Sequence, residues 1–279
     1  MKCDSEENTL IIEAGLAERH YWHDLWRYRE LFYVLAWRDI SVRYKQTIVG
    51  VLWALFRPLL TMLVFTVVFS RIANLPSEGT APYALMVFAG LLPWQFFSTS
   101  LTESSSSLID NRNLLSKIYF PRLIIPTAAI VVAFVDFLIS FIILLGLFVW
   151  YRFIPDLRIL TLPFFIVMAF LASLGPGLWI SSLNVKFRDF RYVIPFIVQF
   201  GLYVSPVGFS SEIIPDEWRL IYCLNPVVGV IDGFRWAILG KQSEFFLPGL
   251  LVSWCVILFF LWLGITRFRK MEKSFADLI

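Results

Sequence analysis

Few residues in this chain carry chemistry, and they are scattered. His20 and His23 are the only histidines. A spacing of three can put both imidazoles on one helical face as metal ligands, but no cysteine or third histidine stands near enough to complete a donor set, so no metal site is expected. Cys3, Cys223 and Cys255 lie far apart and read as small packing residues. No H-E-x-x-H or G-x-S-x-G segment occurs, and no G-x-x-x-x-G-K-[ST] loop of the kind that cradles nucleotide phosphates. Asp216, Glu217 and Asp232 are the outer acids close enough in sequence to suggest an acid–base pair, although capping or solvated roles suit them better. Arg57 and Asp136 are the two charges set inside otherwise uncharged stretches, where a charge is costly and needs a reason.

Those stretches dominate the chain. A helix rising about 1.5 Å per residue needs roughly 20 apolar residues to cross a hydrocarbon core about 30 Å thick. Six segments meet that length: Ile48 to Ser70, Ala81 to Thr102, Leu123 to Tyr151, Ile159 to Val185, Tyr192 to Ser211 and Phe245 to Thr266. The expectation is an all-α integral membrane protein with six transmembrane helices. Its parts are a cytoplasmic N-terminal segment over 1–47, a permease domain over 48–266 and a cytoplasmic tail over 267–279. Basic residues sort by loop: eighteen of the 24 lie before or just inside the first span, around Arg112 to Arg122, around Lys186 to Arg191, or after Thr266. Cytoplasmic flanks retain positive charge, so both termini are expected in the cytoplasm.

With 58 % hydrophobic and 16 % charged residues, the composition is too apolar for an ordinary soluble domain. The net charge of +3 follows from membrane topology and does not suggest a nucleic-acid partner. The first thirteen residues are polar and acidic, unlike a cleavable signal, and the first span is expected to direct insertion.

Two segments depart from the simple pattern. Tyr21, Leu25, Tyr28, Phe32 and Leu35 recur at steps of four and three, giving an amphipathic helix expected to lie along the inner membrane surface with Trp22, Trp26 and Trp37 at headgroup depth. Packing of that face on the spans is the alternative. Between Ser205 and Lys241, Pro206, Gly208, Pro215, Pro226, Gly229, Gly233 and Gly240 punctuate short apolar pieces. They suggest a re-entrant helical hairpin over 206–240 on the outer face, buried in protein or lining a wet cavity because lipid cannot satisfy its backbone.

Several runs resemble the permeases of ABC exporters for polysaccharides, the type 2 group that handles O-antigen, capsule and teichoic acid. They are Trp37-Arg38-Asp39-Ile40, Arg43-Tyr44-Lys45-Gln46-Thr47, Gly50-Val51-Leu52-Trp53-Ala54, Phe88-Ala89-Gly90-Leu91-Leu92-Pro93-Trp94, Asn113-Leu114-Leu115-Ser116-Lys117-Ile118-Tyr119-Phe120-Pro121-Arg122, Ser205-Pro206-Val207, and Asn225-Pro226 followed by Arg235. The resemblance implies a homodimeric permease in the bacterial inner membrane. It would be bound to two copies of a separate ATPase that holds ATP and magnesium, leaving this chain without a cofactor and without enzymatic activity. The cargo would be a lipid-linked polysaccharide.

In that family the loop after the second span carries a coupling helix, which implies an ATPase contact through Asn113, Leu114, Leu115, Lys117, Ile118, Phe120 and Arg122. Lys186, Arg188 and Asp189 form a second contact and the N-terminal helix a third. For the path itself, aromatic faces suit a long hydroxylated polymer because they give many weak contacts. Trp94, Phe96, Phe97 and Tyr203 are the candidates. Arg57 has two readings, a contact to the substrate's diphosphate or a snorkel to lipid headgroups, and Pro58 disfavours helical geometry there. Asp136 is expected to accept hydrogen bonds from a neighbouring helix or from Ser140, and a protonated form also fits. A permease for another cargo, such as teichoic acid, capsule, a lipid or a drug, is the alternative. A proton-coupled transporter would need more intramembrane acids and an internal repeat.

Overall fold

A computed structural model of the chain describes residues 21–44, 48–79, 81–187, 189–240, 245–272 and 275. Cys3, His20, Arg188 and the run 45–47 lie outside them. Among the described residues there is no strand. The helices are α1 (Tyr21–Arg27), α2 (Arg29–Tyr44), α3 (Ile48–Phe65), α4 (Tyr83–Asp110), α5 (Arg112–Leu115), α6 (Ile124–Trp150), α7 (Leu162–Lys186), α8 (Phe190–Val204), α9 (Asp216–Tyr222), α10 (Pro226–Leu239) and α11 (Leu247–Glu272). A π-helical stretch Thr66–Ile72 prolongs α3, and a 3-10 turn Leu157–Thr161 leads into α7.

Five of these are long and apolar enough to cross a bilayer: Leu55–Ile72, Tyr83–Asp110, Ile124–Trp150, Leu157–Lys186 and Leu247–Glu272. The stretch from Tyr192 to Ser211 does not form one helix. Instead α8 stops at Val204 after 15 residues, about 22 Å at the usual rise, and the chain turns through Ser205 to Phe209. Pro206 lacks an amide hydrogen and disfavours helix at Ser205. Pro58 behaves differently from expectation, because α3 runs straight through it.

The bundle is built around α4. Of its apolar stretch 78 % is buried, against 6 % for the first span, so α4 is the hub and α3 an outer helix. α4 also continues past the predicted end at Thr102, and its serines make this affordable in an apolar setting. Ser104, Ser105 and Ser107 each donate to a carbonyl three residues back, so none of these three hydroxyls needs water. Around α4 pack α6, α7 and α10, with α11 against α7. At the α7–α11 crossing a methyl group on Gly175 would lie 2.6 Å from the Leu261 amide, and one on Gly264 would collide with the Gly175 carbonyl. Close approach of two backbones through small residues is how helices gain contact where lipid offers no hydrophobic drive.

The N-terminal helices meet the bundle with the face predicted to be apolar. Tyr21, Leu25, Tyr28 and Phe32 pack against a cluster that includes Leu35, Leu108, Leu123 and Phe268. Trp22, Trp26 and Trp37 point outward. Of the two expectations for this face, the membrane surface and the spans, the half-buried packing beside α6 matches the second.

Candidate functional site

At one end of the bundle the α4–α6 loop forms a single helical turn, α5. Asn111 opens it: the side-chain amide donates to the Ser107 carbonyl at 2.9 Å, and the amide oxygen accepts from Arg38 of α2 at 2.8 Å. Leu115, Phe120 and Pro121 turn inward and are buried. Asn113, Lys117 and Ile118 are exposed, Ile118 to 51 %, and Leu114 is half-buried. The predicted contact set therefore divides into anchors and an outward face of mixed apolar and basic character. Arg122 belongs to the anchors, since its guanidinium donates to the Glu272 carbonyl at 2.7 Å.

The second predicted contact lies at the end of α7, where Lys186 and Asp189 are exposed and the Lys186 ammonium sits 5.2 Å from the Phe187 ring centre. Asn184 just before it donates to the Ser105 carbonyl of α4 at 2.9 Å. This bond fixes the ends of α4 and α7 together, so the two loops leave from one joined base.

Of the two sources expected for the hydrogen bonds of Asp136, a neighbouring helix and Ser140, the neighbouring helix α2 is the one found. Asp136 accepts from Arg43 Nη1 at 2.7 Å and from the Tyr44 hydroxyl. The same arginine donates to Glu103 of α4 at 2.5 Å. One cation at the end of α2 thus bridges acids on two helices, which offsets much of the cost of holding them among apolar helices. Arg57 is exposed and makes no part of this cluster.

The four candidate path aromatics are not brought together. Phe96 is buried among Phe134, Phe137 and Phe170, with ring centres 5.7 to 6.4 Å away. Trp94 is buried too, and its ring fills the space over Gly201 of α8. Phe97 is half-buried against Trp94. Tyr203 is 63 % exposed and follows Tyr192, Phe196 and Phe200 along α8, all exposed. The Phe196 and Phe200 rings are stacked at 6.2 Å.

The chain after α8 is held by residues that sequence reasoning left unassigned. Tyr222 donates to the Val204 carbonyl at 2.6 Å, Asn225 to Ser205 Oγ at 2.9 Å, and Tyr83 to the Gly208 carbonyl at 2.5 Å. Arg235 is fully buried and donates to the carbonyls of Val207 at 2.9 Å and Phe209 at 2.7 Å, to that of Met86 at 3.3 Å, and to Glu78 at 3.4 Å. It lies against Gly90, where a methyl group would stand 3.0 Å from its Nη2. Ser205, Asn225 and Arg235 thus meet in a hydrogen-bonded knot around one turn, and Gly90 leaves room for the guanidinium. Beside the knot stands Asp232. Burial raises its carboxyl to about 6, against the opposing pull of Arg235 and the Ser211 hydroxyl. Cys223 is buried, Cys255 exposed, and no cluster of metal-ligating side chains occurs among the described residues.

The geometry is that of a bundle of long apolar helices whose α4–α6 loop presents an outward face of mixed apolar and basic residues. The chain is 28 % identical over 260 residues to the O-antigen export system permease protein RfbA of Myxococcus xanthus, covering 92 % of this chain and 98 % of that one. It is 27 % identical to the protein of the same name from Klebsiella pneumoniae, covering 90 % and 95 %. It is 26 % identical to the polysialic acid transport protein KpsM of Escherichia coli, covering 84 % and 91 %. The profile of ABC-2 type transporters matches residues 30–239, and the chain belongs to that family.

Proposed function

We propose that this chain is the permease of an exporter that moves lipid-linked polysaccharide across the bacterial inner membrane, with ATP hydrolysed by a separate subunit. The observation that carries this reading is the near full-length match to permeases named for O-antigen export, at 92 % and 90 % of this chain. ATP and magnesium belong to the partner, and this chain holds no cofactor. Two copies pair, each with one ATPase subunit. The cytoplasmic side carries both termini, the segment 1–47, α5 and the tail 267–279, while 48–266 forms the permease domain.

In this reading α8 is a short fifth pass, giving six with the five long helices, and α9 and α10 are the re-entrant hairpin within 206–240. Burial of α10 between α4, α7 and α11 supports that assignment. The exposed tryptophans of α1 and α2 suit headgroup depth. Trp94 and Phe96 support the wall from within, whereas Phe97, Tyr203 and the aromatic row on α8 are free to touch the passing glycan. Arg57, exposed on α3, meets the diphosphate or the headgroups. The outward residues Asn113, Lys117, Ile118, Lys186 and Asp189 receive the ATPase, together with Arg188.

The test is co-purification of this chain with an ATPase subunit, reconstitution in vesicles, and measurement of labelled lipid-linked glycan. ATP-dependent movement is the expected result. Nucleotide hydrolysis by this chain alone, or transport driven by an ion gradient without the partner, would overturn the reading.

A further inference from the structure

Arg122 and Glu272 are joined twice, and in reciprocal fashion. The Arg122 amide donates to Glu272 Oε1 at 2.8 Å, while the Arg122 guanidinium donates to the Glu272 main-chain carbonyl at 2.7 Å. Arg122 immediately precedes the N-cap of α6, Leu123, and Glu272 is the last residue of α11. Each helix end therefore supplies the charge that the other's dipole favours: a carboxylate at the start of α6 and a cation on a terminal carbonyl of α11.

Apolar contacts extend the junction. Phe275 stacks edge-on to Phe268 at 5.5 Å, and the Arg122 guanidinium lies 5.8 Å from its ring centre. Both phenylalanines are fully buried in the cluster that also contains Leu115 and Phe120, the inward anchors of the α5 loop. Arg269, one turn before Glu272, lies 4.8 Å over the Tyr21 ring of α1. The loop that leads away from α5 is thus fastened to the last helix as well.

We propose that Arg122 and Glu272 are positioning residues for energy coupling, through which a displacement of α5 by the ATPase is delivered to α11 as well as to α4 and α6. The inference rests on the exporter reading above and extends it from the contact surface to the route the force takes. Without the junction α5 moves against a loose support, hydrolysis continues, and less glycan passes per ATP. Both bonds involve an ionised group and are stronger than neutral hydrogen bonds.

The test is the ratio of glycan moved to ATP hydrolysed in vesicles containing permease and ATPase, for wild type, Glu272→Ala, Arg122→Ala, the double variant and Glu272→Gln. Each alanine variant removes one of the two bonds and leaves the other, so the ratio is expected to fall in each and to fall further, by about fivefold or more, in the double variant, with hydrolysis near the wild-type rate. Glu272→Gln, whose amide oxygen still accepts from the Arg122 amide, is expected to keep most of the ratio. An unchanged ratio in the alanine variants would overturn the proposal. So would a proportional loss of transport and hydrolysis, which marks a merely structural role, or a glutamine variant as poor as the alanine one. Wild-type vesicles that move glycan with ATP while the variants match them would sink this inference alone, whereas inert wild-type vesicles would sink the exporter reading with it.

Discussion

Arg235 makes four hydrogen bonds without touching solvent. Its planar guanidinium reaches three carbonyls and a carboxylate at once, which a lysine ammonium on a single stem does not reproduce. Arg235→Leu leaves Glu78 buried and uncompensated and is expected to cost about 3–5 kcal/mol, seen as a lowered melting temperature of the purified permease; Arg235→Lys should recover little of it. Asp232 nearby gives a pH dependence. Its folded value of about 6 lies above the ordinary carboxylate range, so its contribution is full at acid pH and is lost as pH rises through about 6. The melting temperature of wild type should fall across that interval more than that of Asp232→Asn. Neither pairing was legible in the sequence, because Arg235 and Glu78 are 157 residues apart. What the sequence did flag was that Asp136, a charge within a span, required a partner; Arg43 answers it from 93 residues away.

At the level of elements, period and length were the legible part. Five of the six predicted stretches become long helices within a few residues at most of their ends, because a backbone in an apolar medium bonds to itself wherever side chains permit. The failure at Ser205 came from treating Pro206 and Gly208 as lying within a span, when four later or earlier side chains claim the carbonyls and hydroxyl there. The predicted contact set around α5 also divides into buried and outward residues, and only packing decides which are which. Ile118→Asp is expected to reduce ATP-driven export with the permease still at its normal level in the membrane. Leu115→Asp places a charge in the buried cluster and should lower that level itself, which immunoblotting of membranes separates from a transport defect. The α7–α11 crossing offers a further test. Gly264→Val pushes two backbones apart and is expected to cost about 1–3 kcal/mol by overpacking, read as loss of thermal stability in detergent.

Across the whole molecule, the N-terminal helices are tied to the bundle at both ends, by Arg43 on Glu103 and Asp136 and by Tyr21 beneath Arg269. Removing only the cation should be worse than removing the whole cluster, since a lone carboxylate at membrane depth is costlier than none. Arg43→Met is therefore expected to lower thermal stability, and the triple variant Arg43→Met, Glu103→Gln, Asp136→Asn to restore most of it. Such ties explain why α4, drawn from the first half of the chain, can be the most buried of the spans: its neighbours α7 and α10 come from the second half. Synthesis must then proceed with the hub bare. Glu78 emerges long before its guanidinium does, and the knot behind α8 can close only when the penultimate helix is made, so the centre of the bundle, begun early, is locked only near the end of synthesis.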